Sequence, residues 1–98
     1  VSLDGIMQIV ADHFKTTIEL IKSKTRKREV VEARQLAMFL SKKMIANKSL
    51  MAIGEAFGGR DHATVIYSCR TVENLLDTDI LFRKALEDVE KKIRMSVG

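Results

Sequence analysis

Two short stretches of this 98-residue chain carry side chains that could act on a ligand, and both suit a polyanion. The first is Lys22-Ser23-Lys24-Thr25-Arg26-Lys27-Arg28, where cations crowd together without apolar neighbours. The second is Gly58-Gly59-Arg60-Asp61-His62-Ala63-Thr64. If a helix starts there, its unpaired N–H groups and positive dipole end attract phosphate. Its first side chains could then meet base edges, a carboxylate accepting from the amino group of cytosine. Catalysis and metal binding find no comparable support. The only histidine besides His62 is His13, and Cys69 is the only cysteine, so no nucleophile–base pair or ligand cluster can be assembled from the motifs.

The charge distribution points the same way. Net charge is +4, but from Lys22 to Arg70 there are eleven basic residues against four acidic ones, and elsewhere six against nine. A basic middle between acidic flanks is the pattern of a nucleic-acid face. Charge alone leaves a solvated surface equally open.

The elements that must position these residues read as helices. With no proline and 5% aromatic residues, the composition argues against a β-sandwich or small barrel. No apolar run nears the ~20 residues of a membrane span. Leu3, Ile6, Val10 and Phe14 recur at helical spacing and predict a first helix over about residues 3–14. Thr17 caps a short second helix through Ile18, Leu20 and Ile21, and Lys22–Arg28 follows as an exposed loop. A third helix buries Ala33, Leu36, Ala37, Leu40 and Met44. Ser49 opens a fourth over Leu50–Phe57, which the glycine pair ends. Asp61 caps a fifth, running to about Leu76 with Val65, Cys69, Val72 and Leu76 inward. Thr78 or Asp79 caps a sixth, burying Phe82, Ala85, Leu86, Val89 and Ile93. The expected fold class is all-α, a single six-helix domain.

Residues 49–76 then form a short helix, a glycine turn and a longer helix, the plan of a helix-turn-helix. That pattern by itself is commoner as plain bundle packing. The specific signal is Gly54-Glu-Ala-Phe-Gly-Gly-Arg-Asp-His-Ala-Thr-Val-Ile-Tyr-Ser-Cys-Arg70, which closely resembles the signature of the C-terminal DNA-binding domain of the bacterial chromosomal replication initiator DnaA. The resemblance extends to the Ser23–Arg28 loop, Ala33-Arg34-Gln35 and Ser49-Leu50, and so spans the chain. It implies sequence-specific binding of double-stranded origin boxes in replication initiation, in a cytoplasmic, nucleoid-associated protein.

Carried over residue by residue, the resemblance makes Arg26 a minor-groove reader and Asp61, His62 and Ala63 the major-groove positions. It makes Arg34, Gln35, Lys42, Leu50 and Thr64 backbone contacts, which set register without encoding sequence. Two positions depart from the pattern. Ala63 replaces a usual Thr or Ser and lacks its hydroxyl, and Met51 stands where proline is common. The family's ATP site lies upstream, and no Gly-rich phosphate loop followed by Lys occurs here, so neither enzyme activity nor a cofactor is expected of this chain. Acidic phospholipid ranks second to DNA as a partner, since no strongly apolar face accompanies the basic loop. Self-assembly of full-length members on DNA is expected through other domains. The opening Val1 without an initiator methionine reads as a domain of a longer protein, with no signal peptide. Asp61 could also be only a cap, Cys69 reads as a small core residue, and a helical protein-interaction module with incidental basicity remains the alternative.

Overall fold

The computed structural model describes residues 1–97, and among them the chain forms six helices and no strand. Helix α1, Leu3–Phe14, starts where the Ser2 hydroxyl accepts from the Gly5 N–H at 3.0 Å, and it buries Ile6, Met7, Val10 and Ala11. Thr17 caps α2, Ile18–Lys22, accepting from the Leu20 N–H at 3.1 Å. Helix α3, Arg28–Met44, is the centre of the packing and touches α1, α2 and the two helices that follow it. Its Leu36, Ala37 and Leu40 are wholly buried, while Met44 is half-buried.

The basic loop is shorter than the sequence predicts. Lys22 closes α2 and Arg28 opens α3, leaving only residues 23–27 outside helices. A cation at a helix start opposes the dipole, which is why Arg28 reads as loop. Here Glu29 and Glu32 offset it, and Arg28 pairs with Glu32 at 3.3 Å.

Helix α4, Leu50–Ala56, is capped by Ser49, whose hydroxyl accepts from the Ala52 N–H at 3.0 Å, and it ends one residue before the predicted Phe57. Helix α5, His62–Thr78, outruns the predicted end at Leu76. Asp79, not Thr78, caps α6, Ile80–Val97: its carboxylate accepts from the Leu81 and Phe82 N–H groups, both at 3.1 Å. Arg83 reaches back to the Leu76 carbonyl at 2.8 Å and pins the sharp α5–α6 corner. Phe82, Leu86, Val89 and Ile93 of α6 are buried, with Ala85 half-buried, against α1 and α5.

The turn between α4 and α5 depends on its glycines. Gly58 and Gly59 have φ of 87° and 77°, left-handed values that side chains disfavour. A Cβ on Gly59 would meet open space, whereas one on Gly58 would run into the Lys22 carbonyl. Gly54 has the same constraint against the Arg60 carbonyl. Gly59→Ala should therefore cost only the backbone strain, about 1–2 kcal/mol. Gly58→Ala should cost a further ~1–3 kcal/mol of overpacking. Thermal unfolding followed by circular dichroism checks this, at roughly 4–8 °C per kcal/mol for a domain this size. Equal melting temperatures for the two variants would contradict the close approach.

Candidate nucleic-acid interface

The loop is built by alternation. Ser23 and Thr25 are half-buried, whereas Lys24, Arg26 and Lys27 are exposed. Local hydroxyl bonds fold the strand: the Ser23 hydroxyl donates to the Leu20 carbonyl at 2.7 Å and accepts from the Thr25 N–H at 3.2 Å. The inward carbonyls are then gripped by two arginines. Arg34 donates from Nε to Ile21 O at 2.6 Å, and from Nη2 to Leu20 O at 3.2 Å and Ser23 O at 2.9 Å; both its terminal nitrogens reach Thr25 O at 3.3 Å. Arg60 donates to Ser23 O at 2.6 Å, to Lys22 O at 3.3 Å and to Phe57 O.

Arg34, expected among the backbone contacts, is 7% exposed, and most of its donors are held by backbone carbonyls of the loop. Its position on α3 follows Val30 and precedes Ala37 and Ser41, a buried stripe that could have placed it inside. Arg60 is the residue sequence reasoning missed: it was grouped with the helix start, and its reach to the loop has no local signal. Burial lowers the pKa of both guanidinium groups, and the charge of Arg60 lowers that of Arg34 further. The carbonyls at the C-terminal end of α2 supply the opposing negative end of a dipole.

Arg60 leads directly into α5, so the same side chain joins the loop to the helix start. Asp61 caps α5 through one oxygen: Oδ1 accepts from the Thr64 N–H at 2.8 Å and from the Thr64 hydroxyl at 2.9 Å. No described residue donates to Oδ2, which faces solvent on an exposed residue and can accept from a base. Cap and reader are therefore compatible on one carboxylate. His62 and Ala63 are exposed beside it, and Tyr67 and Arg70 continue this outer face of α5. Val65, Ser68, Cys69 and Val72 form its buried face, where burial pushes the Cys69 thiol up. Thr64 is half-buried with its hydroxyl committed to the cap.

The remaining expected contacts are spread more widely. Lys42 is exposed and lies near Cys69 and Glu73 in the middle of α5; Gln35 and Leu50 are half-buried, on α3 and at the first position of α4. Met51 is 68% exposed. Lys43 is drawn away from this surface by Glu90 at 3.0 Å, which also holds Arg94. Among the described residues no group of three His, Cys, Asp or Glu side chains could hold a metal ion, and no helix is long and apolar enough to cross a membrane.

A short helix, a turn closed by two left-handed glycines and a longer helix with an exposed polar start make up a helix-turn-helix domain. A family model described as the bacterial dnaA protein helix-turn-helix matches residues 3–72. The chromosomal replication initiator protein DnaA of Flavobacterium psychrophilum is 50% identical over 95 residues, 97% of this chain and 20% of its own length. Its namesakes in Porphyromonas gingivalis and Bdellovibrio bacteriovorus are 48% and 45% identical over 93 residues, 95% of this chain and again 20% of their own length. The chain belongs to the bacterial DnaA family, as the C-terminal helix-turn-helix domain and not the ATPase module. It spans a fifth of the length of these relatives, 20%.

The bonds from Thr64 hold the Asp61 carboxyl below the usual carboxylate range. A lowered folded-state pKa contributes stability at neutral pH that is lost as the pH falls through it. Asp61→Asn keeps a good cap that does not titrate. Urea unfolding at pH 6 and pH 3 should show a smaller acid loss for Asp61→Asn than for wild type. Identical losses would contradict the capping bond.

Proposed function

We propose that this chain recognises short double-stranded boxes at the replication origin, reading both grooves. In this reading α5 lies in the major groove, where Asp61 and His62 contact base edges. Ala63 offers its methyl to a thymine C5-methyl, the apolar part of the contact a threonine would make. Arg26 enters the adjoining minor groove, where A·T-rich DNA is narrow and its negative potential is enhanced. Gln35, Lys42 and Leu50 fix the register on the phosphates, and Thr64, whose N–H and hydroxyl already donate to Asp61, would join them only by giving up a cap bond. The protein would act in the cytoplasm on the nucleoid, within a longer chain that carries any ATP site.

The observation that carries the reading is the juxtaposition at Arg60. An outward row of Lys24, Arg26 and Lys27 is tied to the start of a helix whose Asp61 keeps one carboxylate oxygen open. A solvated charged surface has no need of such a tie. Binding of a box duplex and a scrambled duplex tests it by fluorescence anisotropy. Arg26→Ala and His62→Ala should each lose roughly tenfold or more on the box and much less on the scrambled duplex. Lys42→Ala should weaken both about equally, because a phosphate contact carries no sequence information. Uniform losses from all three would leave only non-specific binding.

Salt dependence gives a separate check. Lys24, Arg26, Lys27, Lys42 and Lys48 are exposed and make no ion pair among the described residues, whereas Arg34 is inside and Lys43 is paired. With about four to five phosphates neutralised, the slope of log K against log salt should be about −4 on B-DNA. A slope near zero would exclude the electrostatic face.

A further inference from the structure

The Arg60 side chain spans sequence separations of 37 and 38 residues to hold Ser23 O and Lys22 O, and it does so from the position before Asp61. Its own N–H donates to Gly54 O at 2.9 Å, so the turn it leaves is fixed as well. Ser23 O accepts from both Arg34 and Arg60, one carbonyl bridging two guanidinium groups. Gly58 closes on the same region: a Cβ there would meet Lys22 O and crowd Arg60 Nη1. The base of the Arg26 loop and the start of the recognition helix are thereby one braced unit.

We infer that Arg60 is a positioning residue for minor-groove readout, whose guanidinium holds the Arg26 loop in register with the start of α5 through the Ser23 carbonyl it shares with Arg34. The inference rests on the reading above, that Arg26 and the Asp61–His62 pair both meet bases. A loop ordered before binding does not surrender that freedom on contact with DNA. Two readers with fixed spacing also engage one duplex only in one register. A lysine at position 60 would keep the charge but not the planar fork, which here spans the carbonyls of Lys22, Ser23 and Phe57. If Arg60 were merely a staple of the fold, its loss would lower stability and affect all duplexes alike.

The test is a double-mutant cycle of Arg26→Ala and Arg60→Lys on box and scrambled duplexes, at a temperature where circular dichroism shows all four proteins folded. Arg60→Lys should weaken the box about tenfold and the scrambled duplex far less. In the Arg60→Lys background, Arg26→Ala should cost less than half the fold-change it costs in wild type, because the loop is already out of register. Additive costs, with the Arg26-dependent box preference of wild type intact, would overturn this inference alone. A wild type without that preference would overturn the two-groove reading and this inference with it. If Arg60→Lys does not fold, hydrogen exchange on wild type decides. The Thr25 and Lys27 amides should be protected in the free protein and gain little on box binding. Free-chain exchange that slows only in the complex would overturn the inference.

Discussion

The structure turns on what happens to the carbonyls where α2 ends. A five-residue helix leaves most of its C-terminal carbonyls without intrahelical partners, and here they are partly buried under α3 and the α4–α5 turn. Arg34 from α3 and Arg60 from the turn satisfy Leu20, Ile21, Lys22 and Ser23. Hydrogen bonds from charged donors contribute about 1.5–3 kcal/mol each, and an abandoned buried acceptor costs a similar amount. Three elements that already meet in the apolar core through Ile21, Leu36 and Phe57 are therefore locked further by a cluster of charge-assisted bonds. The glycine at position 58 is a consequence, since the turn must pass against the Lys22 carbonyl.

This arrangement divides the basic residues by task. Arg34 and Arg60 are structural cations, held inside the interface that they create. Arg28 and Lys43 are matched by Glu32 and Glu90 and add little net field. Within the basic middle of the chain, Lys22, the loop row, Lys42, Lys48 and Arg70 remain exposed. The start of α5 adds its own partial positive charge beside them. Asp61 is the one carboxylate at that start, and its anchoring to Thr64 fixes the direction of the open oxygen. In the proposed complex a base amino group would be the partner of that open oxygen.

Much of this was legible in the residues. Helical periodicity found all six helices, and Ser49 and Asp61 marked starts that the cap bonds match. The ends were less legible because they depend on bonds outside the local window. The start of α3 is the exception, since Arg28 reads as loop although the carboxylates that offset it, Glu29 and Glu32, lie within the same first turns. The burial of Arg34 and the reach of Arg60 were the least legible. The placement of each is decided by partners 13, 14, 37 and 38 residues away, which no local pattern shows. For Arg34 the stripe of Val30, Ala37 and Ser41 offered a clue; for Arg60 nothing local did.

The most direct test of the two-groove account is methylation interference on a single box duplex. Methyl groups at guanine N7 block the major groove, and those at adenine N3 block the minor groove. The account predicts two separate clusters of interfering positions, one at N7 and one at N3, within about one helical turn of 10 bp. Interference confined to N7 would leave the Arg26 loop outside the minor groove and contradict it.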